Sequence, residues 1–216
     1  YLFLLFFLSQ IFGQYDQLFV GSRPLSMGGA FTAVADDANA ITWNPAGLPG
    51  LRRTEFTSTY ADLYAMGITQ SYLGFVRPFS DRIAIGLDWS SVGFDDKELA
   101  YSENKLNFAT GFQPHKIFSV GFTLKYLMRD MLLDDASYGK GTGLGYDAGL
   151  LIQPRKNLKL GLGLYDLNGT SVSYKDKTSE TILGQAFKLG ISYMPISGLT
   201  VAADFGDRMQ LGAEYI

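Results

Sequence analysis

Few residues in this sequence are of the types that carry out chemistry, and they are not arranged as an active site. The chain has 216 residues with one His and no Cys. His115 lies between Pro114 and Lys116 in a predicted turn, so a Ser-His-Asp triad would depend on a turn residue. Asp36 and Asp37 are adjacent instead of being spaced as in a metal-ligand loop. We therefore expect no enzyme activity, no metal site and no cofactor.

A larger set of charged residues lies on the polar faces of the predicted strands. Their signs alternate around the interior that these strands would enclose. One interpretation is a salt-bridged filling that makes the interior rigid. The other is a selective path for a polar or amphipathic solute. The predicted interior charges are Asp88, Lys125, Arg129, Asp147, Lys159, Lys188, Asp204, Arg208 and Glu214.

The strands that would position these charges are indicated by apolar residues at every second position from about Thr54 onward. In the clearest case, Lys116–Arg129, one face carries Phe118, Val120, Phe122 and Leu124. The other face is small or charged. The whole pattern predicts about ten strands, most of them of roughly 8–14 residues, which is near the length that a tilted strand needs to cross a bilayer.

The same alternation would suit a soluble sandwich or a lipocalin-like barrel with its apolar face inward. The length of the strands and the many glycines on their polar faces favour a membrane barrel with a crowded interior. Short and long connections also alternate, as periplasmic turns and external loops do in outer-membrane barrels. The short ones are 79–81, 114–115, 154–156 and 195–198, and the long ones are 95–102, 130–142 and 169–182.

Composition agrees with this prediction. The chain is 47% hydrophobic, 14% aromatic and only 18% charged, and its mean hydropathy is +0.06. Alternation spreads the apolar residues, so no continuous run is long enough for a membrane-spanning helix. The net charge of −3 provides no basic footprint, which excludes nucleic acid as an expected partner.

The two ends of the sequence carry separate signals. Residues 1–13 fit the apolar region of a secretory signal peptide, and the alternative is an N-terminal strand or a buried helix. Residues 14–50 are predicted to form a plug, and residues 51–216 a transmembrane barrel. The strand pattern at 208–216 continues to the last residue. We expect an incomplete barrel, with free edges at 54–60 and 208–216.

The segment Gly21–Leu48 resembles the N-terminal plug of the FadL-like outer-membrane barrels. The resemblance is carried by Met-Gly-Gly-Ala-Phe at 27–31, Ala-Asp-Asp-Ala at 35–38 and Trp-Asn-Pro-Ala-Gly at 43–47. Within that superfamily, these motifs most resemble those of the PorV/PorQ type. We predict a short helix near 33–42, followed by a turn. The resemblance implies plug or gate roles for Arg23, Asp36, Asp37, Asn44, Pro45 and Ala46.

The fold implied is all-β: an antiparallel transmembrane β-barrel with about ten strands present out of fourteen, and a short helical plug. The implied location is the bacterial outer membrane, with membrane lipid as a partner. One function that follows is passage of hydrophobic or amphipathic small solutes, released by a shift of the segment around Pro45. The alternative is a type IX secretion component that binds and delivers cargo proteins.

Overall fold

A computed structural model describes residues 20–63, 65, 67–95, 99–133, 136–174 and 177–216 of the chain. The predicted signal segment at 1–13, and 14–19 of the predicted plug, lie outside these residues. Three short helical pieces come first: α1 Ser22–Ser26, α2 Ala40–Trp43 and a 3-10 helix Pro45–Gly50. Twelve strands follow in the described chain: β1 Glu55–Leu63, β2 Ile68–Pro78, β3 Ile83–Asp95, β4 Leu99–His115, β5 Phe118–Leu133, β6 Ala136–Arg155, β7 Leu158–Tyr165, β8 Thr170–Tyr174, β9 Lys177–Leu183, β10 Ala186–Ile196, β11 Leu199–Phe205 and β12 Met209–Tyr215.

All paired strands are antiparallel and belong to one sheet. Its order is β1-β2-β3-β4-β5-β6-β7-β10-β11-β12, while β8 and β9 form a hairpin that pairs with β6. Within the described residues no ladder joins β1 to β12. The predicted free edges are therefore confirmed. The sheet curls around residues 20–50, called the plug from here on, as an open antiparallel barrel. The number fourteen stays a prediction from the resemblance.

The two ends of the barrel differ. The short-turn end carries the tight connections at 79–82, 116–117, 156–157 and 197–198. We call the opposite end the hairpin end, because it carries the β8–β9 hairpin. The sequence predicts long polar loops there, and this prediction is wrong for most of the length of these loops. There β5 and β6 pair as far as Leu133 and Ala136, and residues 169–182 hold most of β8 and β9. A ladder is made by backbone groups, so polar side chains do not end it.

The alternation along each strand separates an outer from an inner face. On β5, Phe118, Val120, Phe122 and Leu124 are 37–44% exposed, whereas the intervening Lys125 is 4% exposed. The predicted orientation of this strand is confirmed. The more polar face is the more buried one, the reverse of the usual arrangement in water. Among the described residues, the helical pieces are all too short to span a membrane.

The wall has an interruption where β7 gives way to β8. The strand β6 pairs with β7 between Ala148 and Arg155, and with β8 between Gly141 and Gly143. The Asn168 side chain spans this interval. It accepts a hydrogen bond from the Tyr146 N–H (3.2 Å) and donates one to the Leu144 carbonyl (2.7 Å). A side-chain amide thus replaces part of the backbone ladder.

The outward apolar band predicts a depth-dependent cost for a charge in lipid. Leu124→Arg, in the middle of the band, should lower the free energy of unfolding by about 2–4 kcal/mol, and Ile117→Arg, in a short turn, by about 0–1. Denaturant titration in lipid vesicles measures both. Equal costs at the two positions would contradict the outward orientation of the band.

Candidate functional site

The plug is held mainly by turns and caps, and the predicted helix over 33–42 is wrong. Only Ala40–Trp43 is helical in this range. Ala35 has a positive φ of 27°, which interrupts a helix. The Asp37 carboxylate then accepts hydrogen bonds from the backbone and side-chain nitrogens of Asn39, at 2.8 and 2.9 Å. Such local side-chain bonds compete with the helical ladder.

The segment Asn44–Ala46 joins the plug to itself and to the wall. The Asn44 side-chain oxygen accepts from the Ala46 N–H at 3.1 Å, which caps the 3-10 helix that begins at Pro45. Its nitrogen donates to the carbonyls of Thr32 (2.7 Å) and Leu150 on β6 (3.2 Å). The Ser119 hydroxyl on β5 donates to the Ala46 carbonyl at 2.5 Å. Thr32, Asn44, Ala46 and Ser119 are buried, and Leu150 is half-buried.

Glycines of the wall allow this close approach. At each of them an added Cβ would press on plug atoms; at Gly121, for example, it would overlap the backbone between Pro45 and Ala46. Glycine is the residue that permits such contact between two backbones. We call this set the glycine belt: Gly86, Gly111, Gly121, Gly149, Gly161, Gly190 and Gly212, one on each of β3, β4, β5, β6, β7, β10 and β12.

Two of the predicted interior charges hold the middle of the plug. The carboxylate of Asp204, fully buried on β11, accepts hydrogen bonds from the N–H groups of Phe31 (3.0 Å) and Thr32 (2.9 Å). The Lys188 ammonium lies 5.1 Å from the centre of the Trp43 ring and donates to Gln210 at 2.9 Å. A cation over an aromatic face is an attractive contact.

Arg23 is the centre of an ion-pair cluster at the edge of the plug. Its guanidinium donates to Glu214 on β12 (2.6 and 2.8 Å), and to Asp36 and Asp37 (both 2.8 Å). Burial lowers the pKa of Arg23, but the bonds to Glu214 and the nearby charges of Asp36 and Asp37 outweigh this and raise it. Asp36 also contacts Lys159 of β7 at 3.3 Å. The ion pair of Asp37 with Arg23 lies inside the plug.

A second polar layer lies next to the plug, further toward the hairpin end. The Lys125 ammonium sits between the carboxylates of Asp147 (2.7 Å) and Asp166 (2.6 Å), and all three are at most 5% exposed. Asp88 accepts from the Thr42 hydroxyl of the plug at 2.7 Å and also from Asn107 of the wall. Lys125 pairs with both carboxylates and Asp88 is held by the plug and the wall, while the Asp166 Oδ2 is buried without a hydrogen-bond partner among the described residues.

Two predicted interior cations lie nearer the hairpin end. Arg129 bonds Glu103, its direct cross-strand partner, at 2.6 Å. Arg208 is not on the inner face of a strand, so that prediction is wrong. It lies in the turn before β12 with its side chain 57% exposed, 3.5 Å from Asp207. The strand β12 begins only at Met209, so Arg208 is the last residue of the preceding turn.

Sequence reasoning missed several of the polar partners. Glu103 directly follows the predicted loop 95–102, so it was not assigned to a strand face. Its alternation with Asn107 would have placed it inward. Asp166 follows β7 with a positive φ of 50°, and no sequence pattern marks it. Among the described residues, no cluster of three His, Asp or Glu side chains could hold a metal ion. What the arrangement can do is keep the interior closed by holding the plug.

Comparisons with known proteins identify the fold. No protein-family model and no curated protein matches the chain. The CymD monoaromatic hydrocarbon channel superposes with a TM-score of 0.66 at 14% identity, covering 89% of this chain and 69% of that one. The TodX monoaromatic hydrocarbon channel, as a deltaS2 mutant, gives 0.64 at 14% identity, with 87% and 68% covered. A FadL homologue from Pseudomonas aeruginosa gives 0.55 at 11%, with 82% and 65% covered. The fold is that of the FadL-like barrels, and the chain spans about two thirds of these proteins' length.

The Arg23 cluster should stabilise the docked plug. Arg23→Gln removes charged hydrogen bonds and leaves the 14%-exposed Glu214 unpaired, so we expect unfolding to become easier by about 1–3 kcal/mol. Amide exchange at Met27–Val34 should rise as well. The matched control is Arg53→Gln. Arg53 is 86% exposed, 3.8 Å from Glu55, and its loss should cost less than about 0.5 kcal/mol. Equal effects would refute a special role for Arg23.

The glycine belt makes a separate prediction. Gly121→Ala forces a methyl group into the plug backbone and should cost about 1–3 kcal/mol of unfolding free energy. Gly184→Ala is the matched control, because a Cβ there meets nothing within 4 Å. It should change stability by no more than about 0.5 kcal/mol. A neutral Gly121→Ala would show that the plug is not tightly seated.

Proposed function

We propose that this protein is a barrel of the bacterial outer membrane that lets hydrophobic or amphipathic small solutes pass through a lumen closed by its N-terminal plug. The observation that carries the proposal is the combination of an apolar outer face with an interior filled by a plug seated on the glycine belt. A soluble carrier barrel would have the apolar face inside.

The membrane location follows from the two faces of the wall. In hydrocarbon, backbone groups must be paired by ladders, and outward side chains must be apolar. Apart from the two free edges of the sheet, the long paired strands satisfy the first requirement, and the outward band of Phe, Leu, Val and Ile side chains satisfies the second. Short turns face the periplasm in barrels of this kind. The plug, which lies toward the short-turn end, would then close the periplasmic side.

The similar folds support the solute class, and the modest attachment of the gate supports its movement. Two of the similar structures bear the name of monoaromatic hydrocarbon channels. Among the described residues, the segment Asn44–Ala46 is tied to the wall by two direct hydrogen bonds, to Leu150 and from Ser119. Each contributes about 0.5–1.5 kcal/mol net. A bound solute that prefers the shifted plug by a few kcal/mol would therefore move it.

The secretion alternative rests on a different observation, the PorV/PorQ-like wording of the segment 21–48. The PorV/PorQ type remains part of the proposal, and the sequence motif is what supports it. The contacts of the described residues show how a plug is held in the lumen, as a gated path for solutes needs. They supply no separate reason for cargo delivery.

A disulfide across the gate tests the proposal, and the natural chain has no Cys to interfere. The Ile41 Cγ1 of the plug lies 2.5 Å from where a Cβ at Gly86 would stand. Ile41→Cys with Gly86→Cys therefore places a sulfur close to bonding geometry. Oxidation should stop the uptake of a radiolabelled monoaromatic hydrocarbon by cells that carry this protein as their main hydrophobic-solute channel. A reductant should restore it.

The controls are the two single-Cys variants, whose uptake should not respond to oxidant, and a small sugar, whose uptake should not depend on the protein. Uptake by the double variant that is the same when oxidised and reduced, with the disulfide shown to be formed, would contradict passage through the plugged lumen. It would favour the secretion alternative.

A further inference from the structure

A concave basic surface opens at the short-turn end, beside the end of the plug. It has a volume of about 810 Å³, in the range of ligand-binding clefts. Its lining includes Arg52, directly after the plug, together with Arg82 and Lys116 from two neighbouring turns. We call it the basic bowl. The gate function does not use it.

The basic bowl has an excess of positive charge. Three cationic side chains face a single carboxylate, that of Asp81. The Arg52–Asp81 contact is long, at 3.6 Å, and both side chains are at least 73% exposed. Such a pair contributes little. Within the described chain, no carboxylate lies within ion-pair distance of Arg82 or Lys116.

The spacing of the cations is set by the backbone. The Gln113 N–H donates to the Arg82 carbonyl at 2.8 Å, and the Gln153 N–H donates to the Ile117 carbonyl at 2.6 Å. These bonds tie the turns 79–82 and 116–117 to the ends of the neighbouring strands β4 and β6. A binding surface held in this way loses little conformational entropy when a partner docks.

We propose that the basic bowl is a docking site for an acidic segment of a periplasmic protein. Several cations spread over separate turns match a ligand with several carboxylates, as in the recognition of acidic motifs by Arg clusters. A single phosphate would engage only part of the surface. For a lipid headgroup to reach the basic bowl, the acyl chains of that lipid would have to leave the apolar outer band and cross the polar rim.

The position of the basic bowl gives the docking a use. A solute that leaves the plug at this end enters water, where a hydrophobic compound needs a carrier. A partner docked at the basic bowl would stand beside the exit.

The test measures binding of a fluorescent hexaglutamate peptide to the purified protein in lipid nanodiscs, with no solute present. We expect saturable binding that weakens as salt is raised. Arg82→Gln with Lys116→Gln should weaken it at least about tenfold. Lys140→Gln is the matched control, an exposed Lys at the hairpin end, and should leave binding unchanged.

Two further arms separate the sources of negative charge. Inorganic phosphate and vesicles containing phosphatidylglycerol are added as competitors, and both should displace the peptide poorly. The proposal is overturned by absence of saturable binding, by an equal loss in Lys140→Gln, or by efficient displacement by phosphate or by vesicles. Because no solute is involved, each of these results would leave the proposed transport function standing.

Discussion

The plug lies directly against the wall because seven inward positions of the wall have no side chain, and at six of them the contact includes plug backbone atoms. Other contacts of the interior depend on this approach. The Ser119 hydroxyl reaches the Ala46 carbonyl, and the Asp204 carboxylate reaches two N–H groups of the plug, only because the two backbones are so close. A side chain at the belt would hold the plug away and leave these buried groups unpaired, which is costly in an interior without water.

The interior charges serve the plug and each other more than they line an open path. Asp204 and Glu214 bind plug nitrogens, and Lys125 is shared by two carboxylates. Of the two interpretations of the alternating charges, these contacts favour the salt-bridged filling. The contacts of Asp204 and Glu214 with plug donors could be exchanged for others when the plug moves, whereas Lys125 and its two carboxylates pair with each other.

The wall was predictable from sequence, and the plug was predictable only in outline. A period of two is a geometric property of a strand, so the residues facing inward on β5 could be named in advance. The Ala-rich stretch near Ala35 suggested a helix, but local propensity is weak compared with hydrogen bonds to Asp204 and Asn44 that come from distant parts of the chain or from a cap. The same applies to Asp166, whose role depends on Lys125 forty-one positions earlier in the sequence.

The glycine belt also bears on how the wall assembles. A slip of one residue in the pairing of β5 would turn Val120 or Phe122 toward the plug in place of Gly121. Neither side chain fits where even a methyl group would overlap the backbone between Pro45 and Ala46. The plug precedes every described strand and touches β3 to β7 and β10 to β12. It therefore favours the correct register during assembly, since misaligned strands cannot pack against it.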